Sequence, residues 1–220
     1  MHAAVHNRLP LRLQKNPGNP ASHRAAKSIE SRPIDMIPED SSQLCLSGSL
    51  LLADPSLHDP NFRRAVLLLT EHRHDHGAHG YILNRPLGKL AGELLPAPEF
   101  KPLARVPVFA GGPVSPEQLT FASFSWLPAP GLLKCATHLT REDAMERIQN
   151  GESVRAFVGY SGWGGGQLEN ELKQRSWITC KPDATIVSGD NATRLWSDLL
   201  SGMGPWFHLL SKMPDDPTLN

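Results

Sequence analysis

A chain of 220 residues with 40% hydrophobic content is long enough to bury one core of ordinary size, and 22 Lys plus Arg against 22 Asp plus Glu leave no net charge. The balance hides an asymmetry: residues 1–28 carry Arg8, Arg12, Lys15, Arg24 and Lys27 without an acid, whereas from Met36 onward 16 basic residues (22 less those five and Arg32) face 20 acidic ones (22 less Glu30 and Asp35). A mildly acidic body excludes the electrostatic footprint by which a domain neutralises DNA phosphates, and apolar runs no longer than Ala65–Leu69 exclude a membrane-spanning helix, which needs about 20 residues.

Residues 1–40 are rich in Pro, Asn and His and read as a disordered basic extension. The stretch lacks the apolar run of a signal peptide; it shares the Arg-bearing, acid-poor character of a transit peptide, could touch nucleic acid, and equally fits extra translated sequence ahead of a start at Met36. Residues 41–220 read as a single domain. Cys45, Cys135 and Cys180 are odd in number and far apart, which suits neither a disulfide framework nor a zinc ribbon. Each is read as a small, partly buried hydrophobe in an intracellular protein.

In chain order, short apolar or β-branched runs predict strands over Ser49–Ala53, Ala65–His72, Gly80–Leu83, Val106–Ala110, Thr120–Trp126, Leu132–His138, Val154–Tyr160 and Ala184–Ser188. Helices are predicted from a Thr140 cap, with Asp143 behind it and an apolar face at Ala144 and Ile148, to a stop at Asn150-Gly151. Another spans Gln167 to Arg175, with Glu169–Lys173 and Glu171–Arg175 as i,i+4 ion pairs. Leu195–Leu200 and Pro205–Leu210 close the chain as short helices. Strands in succession without regular helical crossovers point to α+β rather than a doubly wound parallel sheet.

Between these elements lie the segments with chemical potential. Asp54-Pro55 and Asp59-Pro60 punctuate loops. Asn84-Arg85-Pro86 leaves a strand in the same way, but Arg85 presents a fork of donors that suits a carboxylate or phosphate. Gly111-Gly112-Pro113 is followed by a short helical Ser115–Gln118, and its amides could form an anion nest or simply a tight turn. His72, His74, His76 and His79 are spaced so that the first three would share a strand face, yet Gly77-Ala78 interrupts the strand, so a solvated hairpin tip is favoured and no metal is assigned.

The segment Gly159–Glu171, GYSGWGGGQLENE, misses the nucleophile elbow because Trp163 stands where glycine is needed. It misses the dinucleotide fingerprint at Gln167 and Glu169, and it has no P-loop ending. Its glycines turn a strand directly into a helix beside two large rings, Tyr160 and Trp163. Such a turn leaves amides at a helix N-terminus that favour an anion.

The blocks GSLLLADPSLHDPNFRRAVLLLTEH, GAHGYILNRPLG, VFAGGPVSPEQL and VRAFVGYSGWGGGQLENELKQRSW, in that order and spacing, resemble the signature blocks of the YqgE/AlgH family from about Gly48 to the C-terminal helices. Ser161 stands where alanine is common in that pattern, and His74 and His76 are additions. The resemblance implies a bacterial cytoplasmic protein with a curved, partly barrel-like mixed sheet flanked by short helices. It implies no chemistry, because the family is essentially uncharacterised, although one branch carries a transcriptional-regulator label tied to alginate synthesis.

Without an assembled triad, metal set or cofactor fingerprint, the chain reads as a non-catalytic regulatory or interaction module that needs no cofactor and does not bind DNA directly. The alternative is an enzyme or a small-molecule or anion-binding protein with a pocket near the Gly159–Glu171 turn. The candidate contact residues for an unknown protein partner or a small anionic ligand are Glu71, Asn84, Arg85, Gly111, Gly112, Tyr160, Trp163, Gly164, Gln167 and Glu171, expected to converge on one face of the sheet.

Overall fold

The computed structural model describes Arg12–Leu13 and residues 45–213. The expected disorder of residues 1–40 therefore lies outside the described residues, apart from β1 (Arg12–Leu13), which runs parallel to β7 (Val114–Leu127) beside Gln118 and Leu119. The fold is α+β, a curled half-barrel sheet with several short helices.

Three strands form an antiparallel meander: β2 (Leu50–Ala53), β3 (Val66–Arg73) and β4 (Gly77–Ile82). The unbroken apolar runs of β2 and early β3 reflect burial on both faces. Leu50, Leu52, Val66 and Leu68 enter one core, while Leu51, Ala53, Leu67 and Leu69 enter another. At about 2 kcal/mol for each fully buried leucine, this layer is a principal source of stability. The edge strand β10 (Trp177–Cys180) adds to β2. The other half comprises β5 (Pro86–Leu90), β6 (Pro107–Ala110), β7, β8 (Leu132–Leu139) and β9 (Ser153–Trp163).

β9 joins the halves. Ser153 to Val158 pairs antiparallel with β7, and Ala156 to Val158 lies parallel to β6; Ser161 to Trp163 then pairs with β4. The change of neighbour falls at Gly159, whose φ is 68°. Side-chain alternation slips there by one residue, so Phe157 and Tyr160 contribute to one core while Ala156 belongs to a second and Trp163 to a third. The Gly111-Gly112 turn runs through the same place: Gly111 N–H donates to Val158 O of β9 at 2.8 Å, and Gly111 O accepts from Ile82 N–H of β4 at 2.9 Å. Space for this exists only without side chains. A Cβ on Gly111 would lie 2.3 Å from Gly159 O, and one on Gly159 would lie 2.4 Å from Gly112 O.

Helices close the cores. α1 (Ala91–Leu94), a 3₁₀ turn at Pro98–Leu103 and α2 (Arg141–Gln149) cover a core containing Leu103, Phe121 and Ala144. α2 begins as predicted, with Thr140 Oγ1 accepting from Asp143 N–H at 3.1 Å and Asp143 Oδ2 accepting from Thr140 N–H at 3.2 Å. Its inward residues are Ala144 and Met145, whereas Ile148 is 41% exposed because the helix turns it past the end of the core. α3 (Gln167–Lys173) packs Leu168 beside Trp163 and Trp177. α4 (Thr185–Ser188), a 3₁₀ turn at Ala192–Arg194, α5 (Leu195–Ser201) and α6 (Pro205–Ser211) cover the core of Leu50, Phe124 and Phe157.

Several expectations are corrected. Ala184–Ser188, read as a strand from its β-branched run, is the helical turn α4, because Asp183 Oδ1 accepts the Thr185 N–H at 2.8 Å and starts the turn. Ser115–Gln118, read as helical, belongs to β7, where a register shift and Ser115 at φ 49° carry the chain past Gly159. The edge strands β5 and β10 carry too little alternation to be legible. Cys45 is exposed rather than partly buried. Gly111→Ala is expected to cost about 3 kcal/mol or more in urea unfolding. Gly131→Ala, at φ 63° with open space around it, is expected to cost only about 1 kcal/mol. Equal costs would mean that the crossing does not need its glycine.

Candidate functional site

Three amides of the glycine-rich turn in the Gly159–Glu171 segment are engaged within the protein. Gly164 N–H donates to Gln167 Oε1 at 3.0 Å, Gly166 N–H to His74 O at 3.0 Å, and Gln167 N–H to Gly164 O at 3.1 Å. Gly164 itself has no left-handed φ; that conformation belongs to Gly166, at φ 73°. Glu171 is the hub of the turn. Its Oε2 accepts the indole N–H of Trp163 at 2.9 Å and that of Trp177 at 2.7 Å, and its Oε1 accepts from Gln167 Nε2 at 2.9 Å. Phe62 stacks near Trp163 and meets Trp177 edge-on, with ring centroids 6.4 and 5.5 Å apart.

The expected Glu169–Lys173 and Glu171–Arg175 surface pairs are therefore replaced, because both carboxylates turn inward. Glu169 Oε1 meets His72 Nε2 at 2.8 Å, and both residues are buried. His72 Nδ1 accepts from Leu46 N–H at 3.2 Å, which assigns the proton to Nε2 as donor to the carboxylate. His72 thus ties the segment before β2 to α3. His74 instead meets Asp75 in the exposed hairpin turn, so the spaced histidines are dispersed rather than gathered.

The other candidate residues form separate groups. Asn84 fastens a loop to the start of β3, its Oδ1 accepting from Val66 N–H at 2.8 Å and its Nδ2 donating to Arg64 O at 2.8 Å. Arg85 donates to Arg63 O at 3.2 Å; burial lowers its pKa, and Asp59 opposes that shift. Gly112 lies against Tyr160 and Ser161, and Gly111 against Gly159, Tyr81 and Phe157. Ser161 is fully buried and its hydroxyl donates to Gly111 O at 3.2 Å, a geometry for packing rather than nucleophilic attack. Tyr160 faces the core of Phe124 and Phe157, whereas Trp163 faces that of Leu51 and Leu69, so the set is distributed over both faces of the sheet.

The structure adds a cluster around His79, a residue weighed only as part of the histidine run. Its ring stacks on Tyr160 with centroids 4.5 Å apart, meets Tyr81 edge-on at 5.0 Å and lies 5.8 Å from His138. Thr70 Oγ1 lies 2.9 Å from His79 Nδ1 and donates to His79 O at 3.1 Å, so Nδ1 is the proton donor to the hydroxyl. Glu71 stands opposite His79 in register, placed on the same side by the register shift after Leu69. Desolvation, with a smaller repulsion from His138, lowers the His79 pKa to about 4. His138 is also lowered by burial, against the attraction of Glu71. Near pH 7 His79 is a neutral hydrogen-bonding group and no proton donor for catalysis. His138 was missed because its signal is conformational, a φ of 55° at a bulge opposite Ala122.

Two outcomes follow from this geometry. Glu171→Ala strands two indole N–H groups and is expected to cost about 3 kcal/mol in urea unfolding, against about 1 kcal/mol for Trp163→Phe once ring packing is matched; equal costs would deny the carboxylate its hub role. For His79, the unfolded state binds more protons than the folded state between pH 6.5 and about 4. Its contribution is therefore complete above pH 6.5 and declines as pH falls through that window, with a slope of at most about 1.4 kcal/mol per pH unit. His79→Asn should flatten that part of the stability profile, and an unchanged slope would assign it to other groups.

Comparison with known proteins extends the agreement to most of the chain. A family model described as AlgH-like matches residues 50–208. A UPF0301 protein of Parabacteroides distasonis is 34% identical over 186 residues, covering 80% of this chain and 92% of that one. A UPF0301 protein of Streptomyces avermitilis is 34% identical over 189 residues, covering 80% and 95%. The solution structure of the AlgH protein from Pseudomonas aeruginosa superposes with a TM-score of 0.56 at 30% identity, covering 80% of this chain and 98% of that one. A crystal structure of a Corynebacterium diphtheriae protein, at TM-score 0.61 and 21% identity over 76% of this chain and 91% of that one, shares the fold. With a family model spanning residues 50–208 and relatives 34% identical over 80% of its length, the chain belongs to the AlgH-like family.

Proposed function

We propose that this protein is a non-catalytic interaction module of the bacterial cytoplasm that acts by binding another protein. The observation that carries this reading is the outer side of α6. Phe207 and Leu210 pack on the core, while Trp206 and Leu209 are 67% and 63% exposed at i and i+3, and Met213, two residues past the end of the helix, is 47% exposed. That spacing makes one apolar stripe, and an exposed tryptophan within such a stripe is a characteristic anchor at protein contacts. The occupant is a partner that offers an apolar groove to Trp206, with a rim suited to the cationic Lys212 nearby.

The proposed module is the body described from residue 45 to 213. Among the described residues no helix is long and apolar enough to cross a membrane. A regulatory role of this kind runs through protein contact, since the excess of acids from Met36 onward disfavours specific DNA binding by the domain.

Trp206→Asp and Leu209→Asp are expected to leave the unfolding midpoint within a few degrees of the parent, because neither side chain is buried. Both should abolish the capture of a partner that the parent chain retains, and a purified partner should shift Trp206 fluorescence to the blue in the parent alone. Equal capture by the parent and both variants would overturn α6 as the contact surface.

A further inference from the structure

Arg155 on β9 is the most deeply buried cation among the described residues, at 2% exposure. Its side chain lies on the core face between two rings, with Cζ 4.8 Å from the centroid of Phe124 and 5.4 Å from that of Phe109. Nη2 donates to the carbonyls of Ile186 and Val187 at the end of α4. Gly189 follows that turn at φ 70°, and a Cβ there would lie 2.8 Å from Nη2, so the glycine lets the backbone fold over the guanidinium. Nε–H and both Nη1 hydrogens have no protein acceptor among the described residues, and no described carboxylate forms an ion pair with the group. Cys135 attracts it only if ionised, and burial raises that thiol to about 12, so it is neutral.

Arg155 lines a cleft of about 290 Å³ between the β5–β6 edge and the turn after α4. Pro86, Pro107 and Phe109 form an apolar wall, while Ser153, Ser188 and Thr193 carry hydroxyls. Asp190 stands exposed on the rim and attracts Arg155 at longer range. A buried guanidinium held by neutral carbonyls, with unused donors on a hydroxyl-bearing cleft, is a half-built anion site. The volume is at the lower limit of small-molecule pockets, which restricts the occupant to roughly one ring.

We propose that this cleft binds a small organic oxyanion, a carboxylate or phosphate monoester on a ring-sized apolar body, with the charged group on the free donors of Arg155 and the body against Pro107 and Phe109. The site is independent of the α6 contact surface and lies apart from the Gly159–Glu171 turn. Asp190 opposes the ligand's charge and sets a modest affinity, and Gly189 holds the arginine in place without touching the ligand.

The test uses the full chain, labelled with ¹⁵N, titrated with benzoate, phenyl phosphate and, as an uncharged control, benzyl alcohol. Saturable shifts of the amides from Ser188 to Thr193 with either anion and not with benzyl alcohol are expected; the anion that saturates first identifies the headgroup. Asp190→Asn changes only an exposed rim residue and should tighten binding by about fivefold. Thr193→Trp fills the cleft from an exposed position and should abolish it. No saturable shift from either anion up to about 10 mM, or titrations unchanged by both substitutions, would overturn the proposal.

Discussion

The whole architecture depends on one close passage of backbone past backbone. β9 must serve β6 and β7 with its first half and β4 with its last residues, and between them the Gly111-Gly112 turn threads the gap, bonded to Val158 on one side and Ile82 on the other. Contacts of 2.3–2.4 Å for any added Cβ leave no room for a side chain on either partner. The passage also flips the alternation of β9. That flip puts Phe157 and Tyr160 on the same core, and β9 as a whole serves three.

Much of the polar chemistry around this frame is internal. The Glu171 carboxylate collects two indoles and a glutamine, and Glu169 holds a histidine whose other nitrogen takes a backbone N–H. Each arrangement answers the cost of burying a polar group by giving it a partner, and together they pin α3 and the segment before β2 to the sheet. The glycine-rich turn, which in isolation suggests an anion cradle, spends the amides of Gly164, Gly166 and Gln167 in the same way.

Arg155 departs from that pattern. Its charge is held by carbonyls and aromatic faces without an ion-paired carboxylate, in the wall of a cleft. Trp206 and Leu209 of α6 are the most exposed large hydrophobic residues among those described, although their neighbours Phe207 and Leu210 are covered. These two departures, one charged and one apolar, lie where the fold leaves its own groups incompletely satisfied.

The α+β class, most strands and the capped helix at Thr140 were legible in the sequence because local rules govern them: apolar runs bounded by Asp-Pro and Asn-Arg-Pro, and a threonine three residues ahead of an aspartate. The family was legible because two of its blocks hold the Gly111-Gly112 turn and Gly159 of the crossing. Tertiary structure alone decided the rest. Glu169 and Glu171 have the spacing of surface ion pairs, and only packing turns them toward His72 and the two indoles. The Ala184–Ser188 run has β propensity, overridden by Asp183. The neighbours of His79 come from β3, β8 and β9, and those of Arg155 from β6, β7 and the turn after α4; such separations carry no local signal, because their proximity is a product of strand order and not of sequence spacing.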